Sequence, residues 1–99
     1  VFTGKMINAV EAKEIGLVNQ VVPADQLQAA TYELAKNIAE GPPIAIGIAK
    51  MMTYQALETS LAVHGRLEFF GQDYSFNTED REEGIRSFLE KRPPKFRGK

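Results

Sequence analysis

The sequence predicts a mainly α-helical domain, and three observations carry that prediction. Apolar residues recur at the three- and four-residue spacing of a helix face through most of the chain. The breaks between these stretches fall on Asn, Ser, Thr, Gly and Pro, the residues that start and stop helices. Only residues 17–22 have the β-branched character of a strand. About five helices with one short extended segment are therefore expected.

The first helix is expected over residues 9–15. Asn8 is a good N-cap, and Glu11 three residues later completes a capping box that satisfies two otherwise unpaired N–H groups. Gly16 stands where a left-handed residue ends a helix. Residues 17–22 read as a strand or extended segment ending at Pro23. A lone strand leaves its ladder groups unpaired and needs a partner from elsewhere. The second helix, about residues 25–40, places Leu27, Ala30, Thr31, Leu34, Ala35 and Ile38 on one face, and Gly41-Pro42-Pro43 stops it.

Pro43 suits the first turn of a third helix, where its missing N–H costs nothing. Ile44, Ala45, Ile48, Met51, Met52, Gln55 and Ala56 line one side of that helix, and Ala45, Gly47 and Ala49 keep it slim for close packing. Glu58-Thr59-Ser60 is a break with a new N-cap. A fourth helix runs through Leu61, His64, Leu67 and Phe69 towards Tyr74. Asn77 or Thr78 caps the last helix, whose apolar stripe is Ile85, Phe88 and Leu89. Pro93-Pro94 ends it, and a basic tail follows.

Composition bounds the function. Ninety-nine residues make one small domain or a piece of a larger one. A charged fraction of 25% beside 43% hydrophobic residues belongs to a globular chain. The opening Val1-Phe2-Thr3-Gly4 reads as mid-sequence, so a piece of a longer protein is expected. Phe69, Phe70, Tyr74 and Phe76 are then expected to pack on a core or subunit outside these residues. The longest apolar run ends at Lys50 and falls far short of the ~20 residues of a membrane span. With no Cys and a single His, His64, a metal site is not expected. His64 reads as a helix-surface or packed residue.

The net charge is -1, yet five of the 12 Lys and Arg residues close the chain: Lys91, Arg92, Lys95, Arg97 and Lys99. Read from the residues alone, Arg92, Lys95, Arg97 and Lys99 form a solvated tail. The one interleaved aromatic, Phe96, is too little for a nucleic-acid site. Glu82 and Glu83 read as first-turn acids that complement the helix dipole. Lys91 reads as a last-turn cation doing the same at the other end. Phe88 reads as part of the packed stripe. No paired carboxylates face one cleft, and no phosphate-binding glycine loop is present.

Four stretches, in order, resemble the C-terminal part of the crotonase superfamily, the enoyl-CoA hydratases and isomerases. They are Phe2-Thr3-Gly4-Lys5 through Gly16-Leu17-Val18-Asn19 to Val22-Pro23; Leu34-Ala35 through Pro42-Pro43 to Ala49-Lys50; the run from Leu61 to Glu68; and the closing block from Thr78 to Lys99. The resemblance implies the helical C-terminal domain of a crotonase-like fold, with the β-β-α spiral core outside this chain. Residues 1–23 would end the connection from the core, and residues 24–99 would form the helical oligomerisation and CoA-site domain. The whole enzyme would hydrate a 2-enoyl-CoA to a 3-hydroxyacyl-CoA, as a trimer or hexamer, in the cytoplasm or a mitochondrial matrix. It would hold no tight cofactor, with coenzyme A entering as part of the acyl-CoA thioester.

The resemblance places the catalytic acids and the oxyanion hole in the core, so it implies no catalytic residue here and an inactive isolated chain. It implies cofactor-moiety contact at Phe88 and Lys91, for the CoA adenine and phosphates. Gln72 stands where some members offer a second aromatic, so stacking from that helix is not implied. The alternatives are a double-bond isomerase or another acyl-CoA enolate enzyme of the same family, such as a dihydroxynaphthoyl-CoA synthase, and a stand-alone helical interaction module.

Overall fold

The structure, a computed structural model, describes residues 2–99. Five α-helices run in order: α1 (Ala9–Glu14), α2 (Leu27–Ala39), α3 (Pro43–Gln55), α4 (Leu61–Phe76) and α5 (Glu79–Glu90). A 3₁₀ turn at Ala24–Gln26 precedes α2. The chain divides into two compact units, Val1–Leu34 and Ala35–Lys99, with the boundary inside α2.

In the first unit the capping box forms as the sequence predicts. Asn8 Oδ1 accepts from the Glu11 N–H, and Glu11 Oε2 accepts from the Asn8 N–H, each at 2.9 Å. Gly16 closes the helix at φ 74°, a conformation that costs glycine no Cβ clash. The Leu17 N–H donates to Ala12 O at 2.8 Å and the Gly16 N–H to Lys13 O at 3.0 Å, the paired bonds of a Schellman motif. Of the strand or extended segment expected at residues 17–22, no strand forms, and none exists among the described residues. Val18 N–H also turns back to Ala12 O, at 3.4 Å. The first donors of the segment are thus spent on the helix end, and no second strand is present to pair with the others.

In the second unit Pro43 opens α3 as predicted, and Ser60 and Thr78 cap α4 and α5. Helices α3 and α4 pack together. The inward residues of α4, His64, Leu67, Gly71 and Ser75, recur every three or four positions. Gly71 is the point of closest approach. A Cβ there would lie 2.8 Å from Ile48 Cγ2 and 2.9 Å from Met52 Cε. Gly47 on α3, expected to serve that purpose, faces open space.

The described residues bury little. Ala12 is the one buried hydrophobic residue, while Phe69, Phe70 and Tyr74 stay more than 60% exposed. The apolar face of α2 is also open, with Leu27, Leu34 and Ile38 all more than half exposed. Single exposed apolar residues need no explanation, but contiguous faces of this kind mark surfaces built to be covered. No helix of the described residues is long and apolar enough to cross a membrane.

Gly71→Ala should lower stability by about 1–3 kcal/mol, because the Ile48 methyl is branched near the backbone and cannot swing aside as Met52 can. Thermal melting followed by circular dichroism reads this. An unchanged melting temperature would mean that α3 and α4 are not this close.

Candidate functional site at the end of α5

Helix α5 is amphipathic in the opposite sense from the one its apolar stripe suggests. Its buried positions are Asp80 and Ser87, at 3% and 4% exposure, while Phe88 on the apolar stripe is 82% exposed. Leu89 and Ile85 are exposed as well. Phe88 therefore does not pack within this chain, and the expected core role of the stripe is not met here. What covers the other face of the helix is the chain's own C-terminal segment.

That segment is clamped to α5, not a solvated tail. The Glu83 carboxylate accepts from the two terminal guanidinium nitrogens of Arg92, at 2.6 and 2.9 Å, and from the Lys95 N–H at 2.8 Å. One turn earlier, the Asp80 carboxylate accepts from the Arg97 and Gly98 N–H groups at 2.6 and 2.8 Å. Asp80 N–H donates in turn to Lys99 O at 3.2 Å. Small residues make room for the passing chain. Gly84 faces the Phe96 ring, and Ser87 folds its hydroxyl onto Gly84 O at 2.9 Å. Glu83 is thus a tail anchor in the second turn, not a first-turn dipole acid.

The charges follow this geometry. The Arg92 hydrogen bonds, aided by the Lys95 N–H, hold the Glu83 carboxyl down from 4.5 to about 2. Hydrogen bonds to Glu83 and then Glu90 hold the Arg92 guanidinium above its ordinary value. Arg92 spends its charge inside the chain. The side chains of Lys91, Lys95, Arg97 and Lys99 make no ion pair among the described residues.

Lys91 sits at the junction of helix and tail, with φ 52° and ψ 41°. It is the one non-glycine residue with a positive φ among the described residues. Its N–H donates to Phe88 O at 3.3 Å, and the Arg92 N–H donates to Ser87 O at 3.0 Å. This is the bond pattern that ends α1, with lysine in place of Gly16. A side chain in this conformation costs about 1–2 kcal/mol. The two predicted contact residues, Phe88 and Lys91, thus lie one turn apart at the exposed end of α5. Gln72 lies elsewhere, in the groove between α3 and α4.

His64 borders that same groove. Its Nε2 is 3.5 Å from Glu68 Oε1, and its Nδ1 is buried with no hydrogen-bond partner among the described residues. No three His, Cys, Asp or Glu side chains of the described residues converge to hold a metal. The sequence alone reads Glu83 as a dipole acid and gives Asp80 no role. Their spacing of three, on the face opposite the apolar stripe, is the pattern they share in the sequence.

Comparison with known proteins follows the same lines. The family described as "Enoyl-CoA hydratase/isomerase" matches residues 1–99. An Arabidopsis thaliana protein named "Probable enoyl-CoA hydratase 2, mitochondrial" is 39% identical over 98 residues, covering 99% of this chain and 33% of that protein. The mouse "Methylglutaconyl-CoA hydratase, mitochondrial" is 31% identical over 102 residues, covering 99% of this chain and 32% of its own length. The crystal structure of an enoyl-CoA hydratase from Bacillus anthracis superposes with a TM-score of 0.95 at 37% identity, covering 100% of this chain and 38% of that one. The chain thus spans about a third of the length of the relatives it matches.

Two outcomes are expected. Replacing the strained residue, Lys91→Gly, should raise stability by about 0.5–1 kcal/mol, since relieved strain exceeds glycine's entropic cost; denaturant unfolding measures it. On acidification the contribution of Glu83 is complete above its ordinary value of 4.5 and is lost as pH falls towards about 2. The Lys95 amide resonance should therefore titrate well below the ordinary glutamate value. A midpoint at the ordinary value would contradict the clamp.

Proposed function

The chain belongs to the enoyl-CoA hydratase/isomerase family, and on that footing we propose that the protein containing it adds water across the 2,3-double bond of an enoyl-CoA, giving a 3-hydroxyacyl-CoA. The observation that carries this reading is the match along the whole chain, with hydratase-named relatives in both sequence and structure. The family's description also names isomerases, so migration of the double bond without net addition of water is the second reading.

Within that reading, these residues supply oligomer contacts and one wall of the CoA site, and the chemistry is done by groups outside them. The open apolar faces of α2, α4 and α5 support the first role. Phe88 and Lys91 support the second. A flat ring left 82% exposed can stack on adenine, and an unpaired ammonium one turn away can meet a phosphate. Asp80 and Glu83 are committed to the tail and are not available as acid or base. Coenzyme A arrives with the thioester, with no tightly held cofactor in this reading. The setting is the cytoplasm, or the mitochondrial matrix in a eukaryote, as the mitochondrial names of two relatives support.

Crotonyl-CoA and the natural-length protein test this directly. Loss of enoyl-thioester absorbance with formation of 3-hydroxybutyryl-CoA is expected, and Lys91→Gly should raise KM about threefold to fivefold with little change in kcat, the size of one exposed charge contact. Double-bond migration with no hydroxyacyl product would favour the isomerase. Hydration by the isolated 99-residue chain would overturn the placement of the catalytic groups elsewhere.

A further inference from the structure

The same helix-ending motif occurs twice in this chain, once with glycine and once with lysine. At α1 the left-handed position is Gly16, at φ 74°; at α5 it is Lys91, at φ 52°. The backbone bonds match in both, so the motif itself does not call for a side chain. A strained, non-glycine residue persists where its surroundings over-determine it, and such residues cluster where a side chain must be presented.

Those surroundings are unusually complete. The residue after Lys91 is Arg92, and its guanidinium is gripped by Glu83 from the second turn of α5 and by Glu90 from its last. Its backbone N–H holds Ser87 O at 3.0 Å, and the Glu83 carboxylate then takes the Lys95 N–H at 2.8 Å. The turn at Lys91 is thereby fixed on both sides by groups that make no ion pair with the Lys91 side chain.

We propose that Glu83 and Arg92 are positioning residues: their ion pair locks the left-handed turn so that the Lys91 ammonium projects from the end of α5 beside Phe88, towards a phosphate of the bound thioester's CoA moiety. This rests on the reading of Lys91 as a CoA contact. A free lysine at a frayed helix end samples many directions and loses rotamer freedom on binding. One whose backbone is already held loses less.

A double-mutant cycle on the natural-length protein tests it, with coenzyme A as the titrant and calorimetry as the readout. The set is wild type, Lys91→Gly, Glu83→Gln and the double variant, with melting temperatures recorded alongside. Lys91→Gly should raise the melting temperature while weakening CoA binding, a split that a purely structural lysine would not give. Glu83→Gln should weaken binding about twofold to threefold when Lys91 is present, less than the loss of Lys91 itself, and leave it unchanged in the Lys91→Gly background. If Glu83→Gln does not fold, Arg92→Lys in the same cycle keeps the charge but loses the two-pronged grip, and the same pattern is expected. An equal loss in both backgrounds, or no loss in either, overturns the positioning role while leaving Lys91 as a contact. If Lys91→Gly binds CoA as well as wild type, the contact reading itself falls and the inference with it.

Discussion

The Glu83 carboxylate is the group on which the end of this chain depends. It accepts three hydrogen bonds, two from Arg92 and one from the Lys95 backbone. Charge-assisted and forked, these are the strong class of side-chain bond, and they are partly shielded, with Glu83 side chain only 17% exposed. With Asp80 doing the same for Arg97 and Gly98, two carboxylates one turn apart fold the tail back along α5. The direction of the tail, the polar inner face of α5 and the turn at Lys91 all follow from that pairing.

The consequence reaches the outer surface. Because α5 spends its polar face on the tail, its apolar face has nowhere to go within these residues. Ile85, Phe88 and Leu89 remain open. The same holds for the aromatic residues of α4 and the leucines of α2. Helices joined by good caps but burying scarcely any apolar area are not held by a core of their own, since packing of an apolar face supplies most helical stability. The open apolar faces belong to a chain that matches about a third of its relatives' length.

Much of the architecture was legible in the sequence because it is local. Asn8 with Glu11, Gly16, Ser60 and Thr78 each fix a helix end through bonds that span a few residues, Pro43 opens α3 through its own ring, and each does so here. What was not legible depends on distance along the chain or on sides. The spacing of Ile85, Phe88 and Leu89 reveals a stripe but not whether these residues or a partner cover it. Glu83 looked like a dipole acid because its partners lie nine and twelve residues on. Residues 17–22 have strand character, yet strand formation needs a neighbour that no local pattern supplies. Gly71 matters only because Ile48 and Met52 stand opposite it. Phe88 and Lys91 came from family resemblance and not from spacing, and their exposure was visible only in three dimensions.

The helix-dipole explanation of Lys91 fares poorly against this geometry. A cation near the C-terminus of α5 gains from the dipole whatever the backbone angle of its residue, because the lysine stem is long and flexible. The dipole therefore gives no reason to accept a left-handed lysine in place of glycine. Nor is the helix end short of positive charge, since Arg92 is the next residue and is already fixed there by Glu83 and Glu90. The two neighbours divide the work: the charge of Arg92 is neutralised within the fold, and that of Lys91 is left unpaired among the described residues. A helix terminus that needed only a cation would have been served by Arg92 alone, with glycine at the turn, as α1 has at Gly16.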